Sequence, residues 1–270
     1  MVDTAAARTI ALVDDVLLDD TDRGSAREPL LDIALGPALL QHVAAAGGPE
    51  LLRLYRPRPT LAFSGRDAAT PGIAAAAAAA RRAGFAPLRR GPGGRAAAYH
   101  RGALCLDHVG QDTPGSTSES PQGIRPRFIQ YGELLVGALR SLGLDAALGP
   151  VPGEYCPGEF SINDGHGHKL VGTAQRLVRG AWLFGTVILV DDPEPIREVL
   201  TTVYEALGLP WDPATVGAVQ TTAPGVTAAD VHDAVLAAYE RLGALRPAEL
   251  PADVLELAGS RAGRHLLPTG

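Results

Sequence analysis

The amino-acid sequence predicts an α+β fold: a mixed, largely antiparallel sheet flanked by helices, followed by a short helical tail. Three observations predict it. Segments with helical spacing and clear stops interleave with short apolar runs. Three of those runs, "EFSIND", "HKLVGTAQRLV" and "AWLFGTVILVD", follow one another across turn residues at 164–167 and 179–180, the pattern of consecutive antiparallel strands. The chain has 270 residues, 46% of them hydrophobic and 20% charged, enough for one large core and a small appendage.

The elements follow in order. Residues 7–18, "ARTIALVDDVLL", predict a strand. Residues 27–48 predict a helix, with apolar side chains at 30, 31, 34, 35, 38 and 39 and a Gly-Gly stop. Residues 50–67 predict two short strands broken by Pro57 and Pro59. In 71–85 a proline stands near the start, alanines fill the middle, and arginines and Gly84 close it, which is a helix with a start, a dipole complement and a stop. A glycine-rich turn leads into a strand within 86–110, and 111–127 is a polar loop. Residues 127–144 are helical. The three strands follow, then helices at 194–207, 227–244 and 251–258. Residues 1–220 form the expected main domain and 221–270 a small helical extension.

Composition excludes several classes of function. A net charge of −6 gives no electrostatic case for nucleic acid. The N-terminus lacks a basic region and acidic residues interrupt its apolar stretch, so it reads as neither signal peptide nor membrane span. The alanine run at 74–80 is too short to cross a bilayer. Two cysteines make no disulfide framework, and a reducing cytoplasm is the expected setting.

Of 24 basic side chains only Lys169 is a lysine. On a solvated surface arginine serves as well. In chemistry the two differ, because lysine is a compact, titratable point charge and arginine a planar fork that stays protonated. In "RRGPGGRAAAYH" (89–100), Gly91, Gly93 and Gly94 follow the Arg89-Arg90 pair and let the backbone approach an anionic or carbonyl-bearing ligand; an ordinary hairpin loop is the competing reading. The loop lacks the Lys-Ser/Thr of a Walker motif. His100, at its end, fits pocket polarity and plain structure equally. Cys105 lies in an apolar strand and reads as core. Cys156 sits in a Tyr-Cys-Pro-Gly turn, where burial as a small hydrophobe is a poorer explanation. Strand alternation puts Lys169, Val171, Thr173 and Gln175 on one face, with Leu170, Gly172 and Ala174 on the other. The turn at 164–167 brings Lys169 back beside the segment after Cys156, so thiol and amine converge on one pocket. His166 and His168 are too few in one hairpin for a metal site, and none is expected.

These motifs, in this order, carry a resemblance. "LYRPRPTLAFSGRD", "RRGPGGRAAAYH" and "GHKLVGTAQR" are similar to the early strand pair, the Arg-Arg–Gly-Gly–His loop and the Lys motif of the lipoate–protein ligase and octanoyltransferase family, which shares its catalytic domain with biotin protein ligases. The resemblance covers roughly residues 28–210. "EYCPGEFSI" resembles the Tyr-Cys-Pro-Gly segment of the cysteine-dependent members that move octanoyl from the glycine-cleavage H protein to lipoyl domains.

The resemblance implies a biotin/lipoate ligase-like fold and a Cys156 thioester acyl-enzyme. It implies Lys169 donating to the acyl carbonyl and favouring the thiolate. Arg89, Arg90, Gly91, Gly93, Gly94, His100, Gly172, Thr173 and Ala174 are the implied substrate-binding set. A transferase of this kind needs no cofactor. Its implied partners are an acyl-donor protein (H protein or acyl carrier protein) and lipoyl domains of oxo-acid dehydrogenase complexes, with neither nucleic acid nor membrane. An ATP-dependent lipoate ligase, using ATP and Mg through a lipoyl-adenylate, is the alternative, and a non-catalytic acyl-binding relative a third. Pro92 stands where the family has Ser or Thr, removing a hydroxyl and an N–H and disfavouring the adenylate route.

Overall fold

A computed structural model of the chain describes residues 8–16, 27–112 and 123–268. Most of the predicted polar loop at 111–127, and the ends of the first predicted strand, lie outside the described residues.

In chain order the elements are β1 (Thr9–Asp15), α1 (Pro29–Ala46), β2 (Glu50–Tyr55), β3 (Thr60–Phe63), α2 (Gly65–Ala68), α3 (Ile73–Arg82), β4 (Ala86–Arg89), β5 (Ala97–Tyr99), β6 (Ala103–Gln111) and α4 (Ile124–Ser141). There follow β7 (Ala147–Leu148), β8 (Ile162–Asn163), β9 (Lys169–Val178), β10 (Ala181–Leu189), α5 (Glu194–Leu207), α6 (Val219–Thr222), α7 (Ala228–Glu240), β11 (Ala244–Pro247) and α8 (Ala252–Arg261). The main sheet has eight strands in the order β11-β1-β2-β6-β10-β9-β8-β7; a second sheet has the order β4-β3-β5. The β8, β9 and β10 strands are consecutive and antiparallel, as expected. The predicted strand "EFSIND" shrinks to two residues, because Glu159 to Ser161 line a cavity instead.

Strand alternation sorts the layers. Leu52, Leu54, Leu104, Leu106, Trp182 and Phe184 face α4 and α7 in the largest core. Leu51, Val109 and Leu183, on the opposite side, pack under α1 and α8. The second sheet buries Leu61 and Phe63 against α3 and α5. Helix α1 is apolar enough in length and hydropathy to cross a membrane. Here it is a core helix: Leu35, Leu39 and Val43 are buried between the sheet and α8.

The helix α5 has the predicted bounds and ends on Gly208 in the left-handed conformation, a favourable stop. Helix α7 starts from a Thr227–Asp230 capping box. Two features escape the sequence reading. The extension after residue 220 is not helical throughout, since β11 pairs in parallel with β1 and adds an edge strand to the main sheet. A bulge between β8 and β9 breaks strict alternation, so Leu170 and Val171 both reach the core.

Candidate active site

The site is a cavity of 440 Å³ between α1, the two sheets and the 151–161 segment, a size suited to a small ligand. Its walls are mostly apolar, with Cys156 and Lys169 at one part and the glycine loop above them.

Cys156 is partly buried and occupies a left-handed backbone conformation, φ +43°, which is uncommon for a residue with a Cβ. Two groups pin it. Its N–H donates to the Tyr204 hydroxyl at 2.7 Å, and that hydroxyl donates to Ala96 O at 2.9 Å, so one side chain of α5 ties the cysteine turn to the glycine loop. The thiol sulfur accepts from Arg90 Nη2 at 3.2 Å and from the Arg95 N–H at 3.3 Å. Burial pushes this thiol up, but the charges of Arg90 and Lys169, with the two hydrogen bonds, outweigh it and hold the thiol below its ordinary range. Cys105 is the opposite case: fully enclosed in β6, its thiol is pushed well above that range by burial.

The loop geometry explains the glycine at 94. Gly94 has φ +100°, and a Cβ there would lie 2.5 Å from Arg90 Nη2 and 2.8 Å from Cys156 Sγ. Arg90 Nη2 also donates to Gly93 O at 2.7 Å and Arg95 O at 2.9 Å, folding the loop over the sulfur. Arg95 is held in turn by Asp67 at 3.2 Å, a buried carboxylate that closes a capping box with Ser64 in the "SGRD" motif.

Lys169 is 2% exposed. Its ammonium meets the Glu154 carboxylate at 2.8 Å and donates to Tyr155 O at 3.0 Å and Cys156 O at 3.1 Å. All three of its donors are engaged by the segment that carries the cysteine, not aimed at a substrate carbonyl as expected. Glu154 completes the arrangement, accepting from Ser161 Oγ at 2.6 Å and from the Val151 N–H at 3.2 Å.

The predicted residues divide as follows. Cys156, Lys169, Arg90, Gly91, Gly93, Gly94, Gly172, Thr173 and Ala174 all line the cavity. Gly172 and Lys169, expected on opposite faces, come together: a Cβ on Gly172 would be 3.6 Å from Lys169 Cε. Arg89 does not join them. It is exposed and lines a neighbouring cleft with Arg176, Arg261, Arg264 and His265. His100 does not line the cavity either. Its Nδ1 accepts from the Gly102 N–H at 2.8 Å and its Nε2 lies 2.9 Å from Asp192 O, so it braces a turn. His168 sits 2.7 Å from Asp164 in the 164–167 hairpin, outside the cavity, as does His166. Glu154, Tyr204, Arg95 and the Asp32–Asp107 pair were missed. Tyr204 carried a signal, lying on the buried stripe of α5 with Ile196, Val199, Leu200 and Val203.

Comparisons with known proteins agree with this architecture. Residues 28–240 match the family described as the lipoyl protein ligase A/B catalytic domain. An octanoyl-GcvH:protein N-octanoyltransferase of Geobacillus kaustophilus is 26% identical over 71% of this chain and 66% of its own length. Its namesake from Anoxybacillus flavithermus is 25% identical over 65% of this chain and 61% of its own length. The chain thus spans just under two thirds of these relatives. Among solved structures, a lipoate protein ligase of Thermoplasma acidophilum with bound lipoic acid superposes with a TM-score of 0.71 at 19% identity, covering 96% of this chain and 95% of that one. A lipoate-protein ligase A bound with ATP superposes with a TM-score of 0.73 at 19% identity and the same coverage. At that identity the superpositions establish the fold, and the match over 28–240 establishes the family: the chain belongs to the lipoyl protein ligase A/B catalytic domain family.

Proposed function

We propose that this chain transfers an octanoyl or lipoyl group from a carrier protein to the lysine of lipoyl domains, through a thioester on Cys156. The observation that carries the reading is the Cys156 thiol, held in the cavity between Arg90 and the Arg95 N–H and biased toward thiolate. The names of the two relatives support it. The glycine-cleavage H protein is therefore the first donor to test and acyl carrier protein the second.

In the first step the thiolate attacks the donor carbonyl and the new C–S bond forms; the bond from that carbonyl to the carrier breaks, C–N for an H-protein lysine amide or C–S for an acyl-carrier thioester, and the carrier's amine or thiol leaves with a proton from solvent. In the second, the acceptor lysine's amine attacks the thioester, the C–S bond breaks, and the thiolate is regenerated as the amine gives its proton to solvent. Splitting the transfer this way lowers each barrier. The Arg95 N–H, 3.3 Å from the sulfur, suits an oxyanion. Lys169 acts here as a fixed charge under the thiol and as the brace of its turn, rather than as the carbonyl donor.

Intact mass after incubation with octanoylated H protein, without ATP, tests the reading. A gain of one octanoyl group, absent in Cys156→Ala and discharged by an apo lipoyl domain, supports it. One observation favours the ligase as a second reading. The cleft beside the cavity gathers Arg89, Arg176, Arg261 and Arg264, a set that suits the phosphates of ATP. Modification that requires ATP and Mg and survives Cys156→Ala would replace the thioester mechanism.

A further inference from the structure

Beside the acyl cavity lies a second cleft of 220 Å³ whose charge runs against that of the chain. The protein carries a net charge of −6. Yet Arg89, Arg90, Arg176, Arg261, Arg264 and His265 line this cleft, and among the described residues no aspartate or glutamate does. Nor do Arg89, Arg176, Arg261 and Arg264 form an ion pair with a carboxylate among the described residues. Arg176 donates to Gly91 O at 2.7 Å and Arg261 to the Gln41 amide oxygen, both neutral acceptors.

Three of these side chains come from beyond the family match. That match ends at residue 240, while the end of α8 and the residues after it supply Arg261, Arg264 and His265. The tail is fixed in place. Leu266 bridges Leu88 of β4, and His265 Nδ1 lies 2.7 Å from Arg89 O. Burial pushes His265 below its ordinary range; the Arg89 carbonyl opposes this, and the charges of Arg89 and Arg176 add to it. The cleft is a region of positive potential that an anion would relieve.

Position and lining indicate which anion. Pro37, Arg90 and Gly91 line both the cleft and the acyl cavity, so an occupant of the cleft sits at the cavity's rim. A protein that carries its acyl group on a lysine must rest its own surface at the rim while the arm reaches Cys156. Ala34, Ala38, Leu40, Val178 and Leu257 give the cleft an apolar lining beside its arginines. Carboxylates on a folded surface bring apolar neighbours to such a lining, whereas a polyphosphate brings none.

We propose that the C-terminal tail completes a docking site for the carrier domain, in which acidic side chains beside the carrier's lysine pair with Arg89, Arg176, Arg261 and Arg264. The inference rests on the proposed function, which needs protein carriers at this cavity. Exposed pairs of this kind are individually weak, but grouped on one side of a cavity they set encounter rate and orientation.

The test is calorimetric binding of an apo lipoyl domain and of apo H protein across a salt series, which involves no acyl transfer. Arg89→Glu and Arg264→Glu alter exposed side chains on separate segments, so a loss shared by both does not come from misfolding. Each should weaken binding about threefold to tenfold, and the two together at least about tenfold. Binding to the wild type should weaken with salt, and binding to the double variant should do so less steeply. Changing the domain's acidic residues beside its lysine to amides should produce the same loss. Affinity unchanged in both single variants overturns the inference, as does octanoylation of Cys156 from H protein at one rate in wild type and double variant. Mg-ATP displacing the domain, with ATP binding itself lost in Arg264→Glu, would give the cleft to phosphate and overturn it too. Binding with the expected losses but no thioester on the wild type would instead overturn the proposed mechanism alone.

Discussion

Arg90 is the group whose removal most directly tests the electrostatics of the site. Its Nη2 lies 3.2 Å from Cys156 Sγ. At that separation a unit charge is worth about 5 kcal/mol at an effective dielectric of about 20 and about 1.3 kcal/mol in bulk water. Arg90 is partly exposed, so a value toward the lower end applies, about 2–3 kcal/mol, or a rise of about two pKa units on Arg90→Gln. The assay is the pH dependence of alkylation by iodoacetamide, read by intact mass. Cys105 is enclosed, with its thiol pushed far up, and stays silent. Wild-type protein should begin to react below the pH expected of a free thiol, and Arg90→Gln should move that limb upward. Arg90→Lys separates charge from loop geometry: it should keep most of the shift while losing the fork to Gly93 O and Arg95 O. An alkylation midpoint that moves by less than about half a unit in Arg90→Gln would refute the argument, since one unit is only about 1.4 kcal/mol.

Other outcomes are expected. Lys169→Gln strands the Glu154 carboxylate in the interior and should cost about 3 kcal/mol by denaturant unfolding; adding Glu154→Gln should recover much of that stability without restoring thioester formation. Gly94→Ala should cut acylation of Cys156 by at least about tenfold, the equivalent of ~1.4 kcal/mol, because its Cβ would overlap both the sulfur and Arg90; unchanged kinetics would contradict the loop geometry. His232 lies 2.9 Å from Asp14. The hydrogen bond to Asp14, against burial, raises His232, and burial pushes Asp14 up but His232 more than reverses it. The histidine's contribution is complete below about pH 6.5 and fades as pH rises through its raised value, while that of Asp14 is present above about pH 4 and lost as pH falls through its lowered value. His232→Gln should therefore cost up to about 1 kcal/mol between those limits and little at alkaline pH, a difference that pH-resolved melting reads directly.

Much of the site was legible because its parts are written as local signals. Gly91, Gly93 and Gly94 are a run of glycines, and Cys156 sits beside Pro157, where no strand or helix interior can be. A lone lysine in an arginine-rich chain marks itself. These features depend on backbone freedom or on residue chemistry, and both are properties of the sequence alone. Helix α5 was equally plain, since its buried stripe and its glycine stop lie within fourteen residues.

What the sequence could not show depends on partners far apart in the chain. Glu154 becomes the counter-ion of Lys169 only when the 164–167 hairpin folds back, and Tyr204 reaches Cys156 across 48 residues. The exclusion of Arg89 and His100 from the cavity is set by the path of β4 and by the turn at 100–102. Likewise β11 is too short and polar to declare itself; it becomes a strand because β1 offers an open edge. The sequence by itself carried the family's motifs, the order of most elements and the candidate cysteine, because spacing and residue type encode them. Tertiary structure alone decided what surrounds Cys156 and that a buried Arg53–Asp network forms part of the cavity wall, because charge and burial are sums over neighbours that only folding brings together.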